Sequence, residues 1–223
     1  MLHRARELLV RQRTMLINAL RGHCGEFGLV VAQGAGKVEQ LIAVIEDEQD
    51  DHLPGYARRA LMALVEQLRA TTREIAGLER ELMRWHRANA ASWRLAAIPG
   101  VGVLTASVLV ATVGDATQFH SARQFAAWLG LVPSQRSSGG KARLGRISKR
   151  GDGNLRRLLV HGARTVLRWL RRRKEGCSPW LEALLARRPT NVVLVAMANK
   201  TARVVWAMLS RREAFQLKRP AMA

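Results

Sequence analysis

The chain has 223 residues, 48% of them hydrophobic, which is enough apolar material to bury a core. Lys and Arg outnumber Asp and Glu by 37 to 17, a formal net charge of +20 with a pI near 11.7. A folded protein with that imbalance repels itself unless a polyanion neutralises it, so nucleic acid is the expected partner.

A membrane is the other anionic partner, and the sequence argues against it. No run of about 18 apolar residues is present; the most apolar stretch, Leu95 to Val113, is interrupted by Pro99, Gly100 and Gly102. The opening residues Met1 to Glu7 lack the apolar core of a signal peptide. Cys24 and Cys177 stand alone, with neither metal-site nor disulfide spacing, so a reducing cytoplasm is expected.

Taken in order, residues 1–22 predict a helix carrying Leu2, Leu8, Leu9, Met15, Leu16 and Leu20 among many arginines. Gly22, Gly25 and Gly28 mark a turn, Gly34 and Gly36 another, and a short helix with Val38, Leu41, Ile42 and Ile45 follows. Glu46, Asp47, Glu48, Asp50 and Asp51 form an acidic run, read as a solvated loop because ligands for one metal ion must converge from separated elements. Beyond Pro54-Gly55, Leu61, Leu64, Leu68, Thr71, Ile75, Leu78, Leu82 and Trp85 alternate spacings of three and four. A sustained seven-residue repeat keeps one seam facing a partner helix, so a coiled coil and self-association are expected.

Ile98-Pro99-Gly100-Val101-Gly102 then separates two apolar helices in the manner of a helix-hairpin-helix. Glycines there let the backbone turn tightly and present N–H groups beside a helix N-terminus, which suits a phosphate oxygen and reads no base. Ser121-Ala122-Arg123-Gln124 matches a capping box for a helix through Trp128 that stops at Gly130. Residues 131–152 read as a Gly/Ser/Arg loop, and helices resume over 154–174, after Ser178-Pro179, and over 190–212. Alternating strand patterns are nearly absent. The predicted class is all-α.

Two features point to phosphate chemistry. Between Lys141 and Lys174 lie thirteen cations against one acid, Asp152. With no acids interspersed to form salt bridges, the run reads as a surface that tracks phosphates. Just upstream, Ser137-Ser138-Gly139-Gly140-Lys141 has the composition of a linker, but it lies between a capped helix and the basic helix. A Ser nucleophile there would need a cradle for developing phosphate charge, which Arg side chains and backbone N–H groups supply. It is not a P-loop, since Gln135 stands where the first Gly should be and Ala142 follows Lys141.

Several of these motifs, in order, resemble the transposase domain of the IS110 insertion-sequence family: Ile98–Gly102, Phe125–Pro133, Ser137–Lys141, Gly145–Asp152, Leu155–Leu159, Ala198–Arg203 and Trp206–Leu209. The opening segments Leu8–Thr14 and Leu20–His23 resemble the part of that family just before its coiled coil. The resemblance implies a recombinase in two parts. One is an N-terminal RuvC-like domain whose three Asp and one Glu bind Mg²⁺; the other is a transposase domain whose Ser becomes joined to DNA, working with a structured guide (bridge) RNA. The family's Ser falls on Ser138, with Ser137 as the fallback. The RuvC-like carboxylates are expected upstream of Met1, so the chain is expected to bind no cofactor itself, Mg²⁺ belonging to that other half.

The expected organisation is therefore a helical end of the RuvC-like domain (1–55), a dimerising coiled coil (56–92) and a Ser-bearing domain (93–223). The expected DNA- or RNA-binding residues are Gly100, Gly102, Lys141, Arg143, Arg146, Lys149, Arg150, Arg156 and Arg157. Full recombination is expected to require the missing half. The competing expectation is a non-catalytic remnant or regulator that only occupies DNA or RNA.

Overall fold

In the computed structural model, residues 1–135, 144–173, 178–211, 213 and 215 are described, and their regular elements are helices apart from two short paired strands. Packing gathers the chain into two units, 1–83 and 84–223.

The first unit is built from α1 (Leu2–Glu26), α2 (Val38–Glu46) and most of α3 (Gly55–Ala88). Leu20 and Cys24 of α1 and Val38, Leu41, Ile42 and Ile45 of α2 close over Leu61, Val65 and Leu68 of α3. Farther along, Arg6 of α1 donates to Glu79 of α3, so α1 and α3 run antiparallel. The heptad positions Leu61, Leu68, Thr71, Ile75 and Leu82 are buried, while Leu78 is half-buried and Trp85 is 37% exposed. The spacing that suggested a coiled coil thus describes a seam largely covered inside this chain. Burial pushes the Cys24 thiol upward, away from the reactive thiolate. The acidic run behaves as a loop. Glu46 receives Arg69, whose hydrogen bonds hold its carboxyl below the usual Glu range, and Asp47 and Asp50 accept the amides of Gln49 and His52.

The second unit contains α4 (Ala90–Leu95), α5 (Val103–Val113), α6 (Ala122–Trp128), β1 (Pro133–Gln135), β2 (Leu144–Ile147), α7 (Gly153–Arg173), α8 (Pro179–Arg187) and α9 (Thr190–Arg211). Asn89 and Ser121 cap α4 and α6 through the amides of Ser92 and Gln124, the latter at the expected capping site. α9 is the central element. Its Val193, Leu194, Ala198, Ala202, Val205 and Met208 meet Phe125, Leu129 and Leu131 on one side and Leu155, Leu159 and Leu167 of α7 on the other. Each fully buried Leu contributes about 2 kcal/mol through removal from water. By length and composition α9 passes for a membrane span, which the sequence reading overlooked; it is packed as the core helix of this unit.

Residues 131–152 were expected to be loop alone. Instead β1 and β2 pair antiparallel, Pro133 opposite Ile147 and Gln135 opposite Leu144. Below them Ser148 N–H donates to Val132 and Lys149 N–H to Gly130.

Close backbone contact joins the glycine turn to α7. Gly100 has φ +84°, and a methyl built there would lie 2.7 Å from the Gly162 carbonyl oxygen; one built on Gly162 would lie 2.0 Å from that of Gly100. Gly102 has open space around it. We therefore expect Gly100→Ala and Gly162→Ala each to lower unfolding free energy by about 2 kcal/mol or more. Gly102→Ala should change it by less than about 0.5 kcal/mol. Urea denaturation followed by circular dichroism checks this; equal losses at all three sites would refute the close-contact account.

Candidate nucleic-acid interface

Net charge is divided unequally between the units. Residues 1–83 hold 11 Lys and Arg against 12 Asp and Glu, whereas residues 84–223 hold 26 against 5. The ion pairs formed between described residues, including Arg6–Glu79, Arg11–Glu7 and Arg69–Glu46, all fall in the first unit. In the second, Asp152 caps α7 through the amides of Asn154 and Leu155, and Asp115 accepts from Thr117. The second unit, at 26 cations against 5 acids, therefore carries a formal surplus of 21 positive charges.

One part of it lies along α7. Leu155, Leu159, Ala163 and Leu167 turn inward, and the spacing of 3.6 residues per turn then carries Arg157, His161, Arg164, Arg168 and Arg172 outward as one exposed stripe. Near its end the Arg173 guanidinium sits 4.5 Å from the ring centre of Trp169, itself half exposed.

Another part rims a groove of about 1330 Å³ between the hairpin, α8 and α9. Its floor is apolar, formed by Leu131, Val192, Val195, Ala196, Val204 and Ala207; Arg146, Lys149, Arg188, Lys200, Arg203 and Arg211 surround it. Among the described lining residues there is no Asp or Glu. Asn199 donates from Nδ2 to the Leu131 carbonyl at 3.0 Å, tying α9 to the base of the hairpin. Trp180 of α8 stands 40% exposed at the edge, with Lys200 Nζ 4.6 Å from its ring centre.

The expected binding residues divide by what they touch. Arg146 and Lys149 line the groove, and Arg150 is exposed beside it. Arg157 is exposed on the stripe and donates to Asn154. Arg156 instead serves the fold, because its guanidinium donates to the carbonyls of Leu129 and Arg150 and pulls the strand ends together. Gly130 and Gly151, both at positive φ, make that approach possible, since a methyl on either would lie near 2 Å from a backbone oxygen. Gly100 likewise faces α7, whereas Gly102 is exposed at the N-cap of α5. Ser137, Ser138, Lys141 and Arg143 lie outside the described residues, in the segment between β1 and β2. Sequence reading missed the groove's Trp180, Arg188 and Arg211 as site residues; an exposed Trp among cations was the available signal.

Among the described residues no three His, Cys, Asp or Glu side chains gather to hold a metal ion.

Comparison with known proteins adds a family. Residues 92–177 match the sequence model described as "Transposase IS116/IS110/IS902 family". A "Probable family 20 transposase" of Pseudomonas aeruginosa is 47% identical over 216 residues, 96% of this chain and 64% of the relative. The "Transposase for insertion sequence element IS1111A" of Coxiella burnetii is 43% identical, covering 95% of this chain and 58% of its own length. That for IS1328 of Yersinia enterocolitica is 39% identical, covering 96% and 63%. The chain spans about three fifths of the length of these relatives.

Arginines that hold the fold should be separable from those that face solvent. Arg156→Ala should cost stability, about 1–3 kcal/mol from carbonyls left unpaired. A paired Arg164→Ala and Arg168→Ala change should leave melting within a degree or two. The same pair should flatten the salt dependence of DNA binding by about two counterions. Fluorescence anisotropy titrations at several salt concentrations measure the second effect; an unchanged slope would remove α7 from the interface.

Proposed function

We propose, from the match of residues 92–177 to the IS116/IS110/IS902 transposase family, that the chain serves an insertion-sequence transposase, cleaving and rejoining DNA strands through a serine. The observation that carries this reading is the set of exposed cations that rim the groove beside the β1–β2 hairpin and line α7. The connecting segment between those strands bears Ser137 and Ser138.

Ser138 is the proposed nucleophile and Ser137 its fallback. Its Oγ forms a bond to a DNA phosphorus while the bond from that phosphorus to one sugar oxygen breaks. The hydroxyl proton ends on the released sugar oxygen. One phosphodiester replaces another, so the same atoms can run the exchange backwards against a different sugar hydroxyl and rejoin a strand. Arg146, Lys149 and Arg150, with Lys141 and Arg143 from the connecting segment, supply positive charge where the phosphoryl oxygens gain negative charge. Gly102 and the first turn of α5 offer a backbone contact to phosphate away from the reacting bond. A structured guide RNA is the proposed source of site choice, because phosphate contacts carry no sequence information. Self-association through α3 would have to use residues outside its covered seam.

The test mixes this chain with the portion of the Pseudomonas aeruginosa relative that it does not span, end-labelled insertion-sequence DNA and guide RNA. A labelled protein–DNA adduct that survives detergent is expected from the unaltered chain and from Ser137→Ala, and none from Ser138→Ala. An adduct persisting in Ser138→Ala would move the nucleophile to Ser137 or elsewhere. Nucleic-acid binding without any adduct would favour a non-catalytic occupant of DNA.

A further inference from the structure

The groove beside α9 has a composition that duplex DNA does not explain. A duplex presents phosphates outward and keeps its base faces stacked inside, so it would satisfy a cationic rim and leave an apolar floor uncovered. Here the floor is extensive. α9 is apolar on its core side, through Val193, Leu194, Ala198, Ala202 and Val205. Its outer side mixes Asn199, Lys200 and Arg203 with apolar residues, of which Val195 and Val204 are partly buried against the core. Val192, Val195, Ala196, Val204 and Ala207 of that outer side all line the groove. Val192 is 49% exposed and Trp180 40%. Apolar side chains gathered in one concave surface, with Val192 and Trp180 exposed and Val195, Ala196, Val204 and Ala207 half-buried, mark a binding site.

Six cations around that floor, with no carboxylate among the described lining residues, select against an acid-free apolar partner and for a polyanion. An occupant must therefore bring phosphates and flat apolar faces together at short spacing. An unpaired polynucleotide does so: successive phosphates follow the cations, and exposed base faces lie on aromatic and aliphatic surface. Trp180 has a suitable form, an indole 40% exposed with a cation, Lys200, 4.6 Å from its ring centre. Asn191, which lines the groove and is exposed, adds an amide group suited to hydrogen-bonding a base edge.

We infer that the groove bounded by Trp180, Arg188, Lys200, Arg203 and Arg146 holds an unpaired strand of nucleic acid, with a base stacked on Trp180 and its backbone along the α9 cations. The inference deepens the transposase reading by giving the site near the hairpin a substrate form: strands are held there open, not paired. The arginine stripe of α7, by contrast, has no groove with an apolar floor beside it among the described residues and suits a duplex backbone, although Trp169 is exposed near its end.

The test measures dissociation constants of the whole chain for a fluorescent single strand, as DNA and as RNA of the same sequence, and for the matching blunt duplex, at one salt concentration. Trp180→Ala should weaken single-strand binding roughly tenfold and change duplex binding by less than twofold. Trp180→Phe, which keeps a stacking face, should restore most of the loss, and thermal melts should show all three proteins equally folded. A preference for DNA or for RNA identifies the source of the strand, and either supports the inference. Equal losses on strand and duplex would overturn it, as would no loss on the strand. So would a fall in sedimenting mass in Trp180→Ala with strand affinity intact, since the groove would then be a contact between copies of the chain. Failure to bind any nucleic acid would instead bring down the transposase reading itself, whereas duplex binding indifferent to Trp180 would remove only this inference if the strand were equally indifferent.

Discussion

Unbalanced positive charge within residues 84–223 is the constraint around which the second unit is organised. Twenty-six cations and five acids share that unit, so charge pairing cannot hold it together. What does is apolar burial on two sides of α9 and contacts at van der Waals distance between backbones. Phe125 and Leu129 from one side and Leu155 and Leu159 from the other are almost wholly removed from water around it. The glycine pair Gly100–Gly162 brings the turn before α5 against α7 with no side chain between them. The core of the described residues is apolar, and self-repulsion among the surface cations eases when phosphates approach.

The first unit uses its charges in the opposite way. Its 11 cations meet 12 acids, and Arg69 and Arg6 reach Glu46 and Glu79 across helices. Arg21 and Arg58 instead donate to backbone carbonyls, those of Val31 and Ala32 and those of Val44 and Ile45. Arg156 does the same in the second unit. Five fixed donors on a plane make Arg a good clamp for loop carbonyls as well as for phosphate. Counting arginines therefore overstates the phosphate-facing surface by those that act as clamps.

The same division marks how far the sequence could be read. Helical periodicity exposed α1, α3 and α7 because each has one apolar stripe, and the Ser121 cap was visible as a local pattern. Heptad spacing in α3 suggests a coiled coil, but periodicity does not say whose helix covers the seam; Leu20 and Cys24 of α1 lie about forty residues away from Leu61 and Val65. Strands β1 and β2 were illegible because Pro133, Gly145 and Arg146 give no alternation, and their pairing depends on the Gly130 and Gly151 contacts. The cationic run was legible as charge, but the assignment of Arg156 to the fold was not, since its carbonyl partner Leu129 is 27 residues distant.

α9 carries the last step. A helix with apolar residues all round is ordinarily either buried on every side or set in lipid. α9 has one side in the core and Lys200 and Arg203 within its middle turns, which a lipid environment penalises. Its outer apolar residues are instead gathered beside the hairpin by the Asn199–Leu131 hydrogen bond, which sets the distance between the groove floor and the strands. The surplus of apolar surface on α9, costly to leave in water, thus sits where six cations meet. Surface of both kinds in one concavity is matched by a molecule that has both, and among polyanions a strand with its bases turned outward is the one that does.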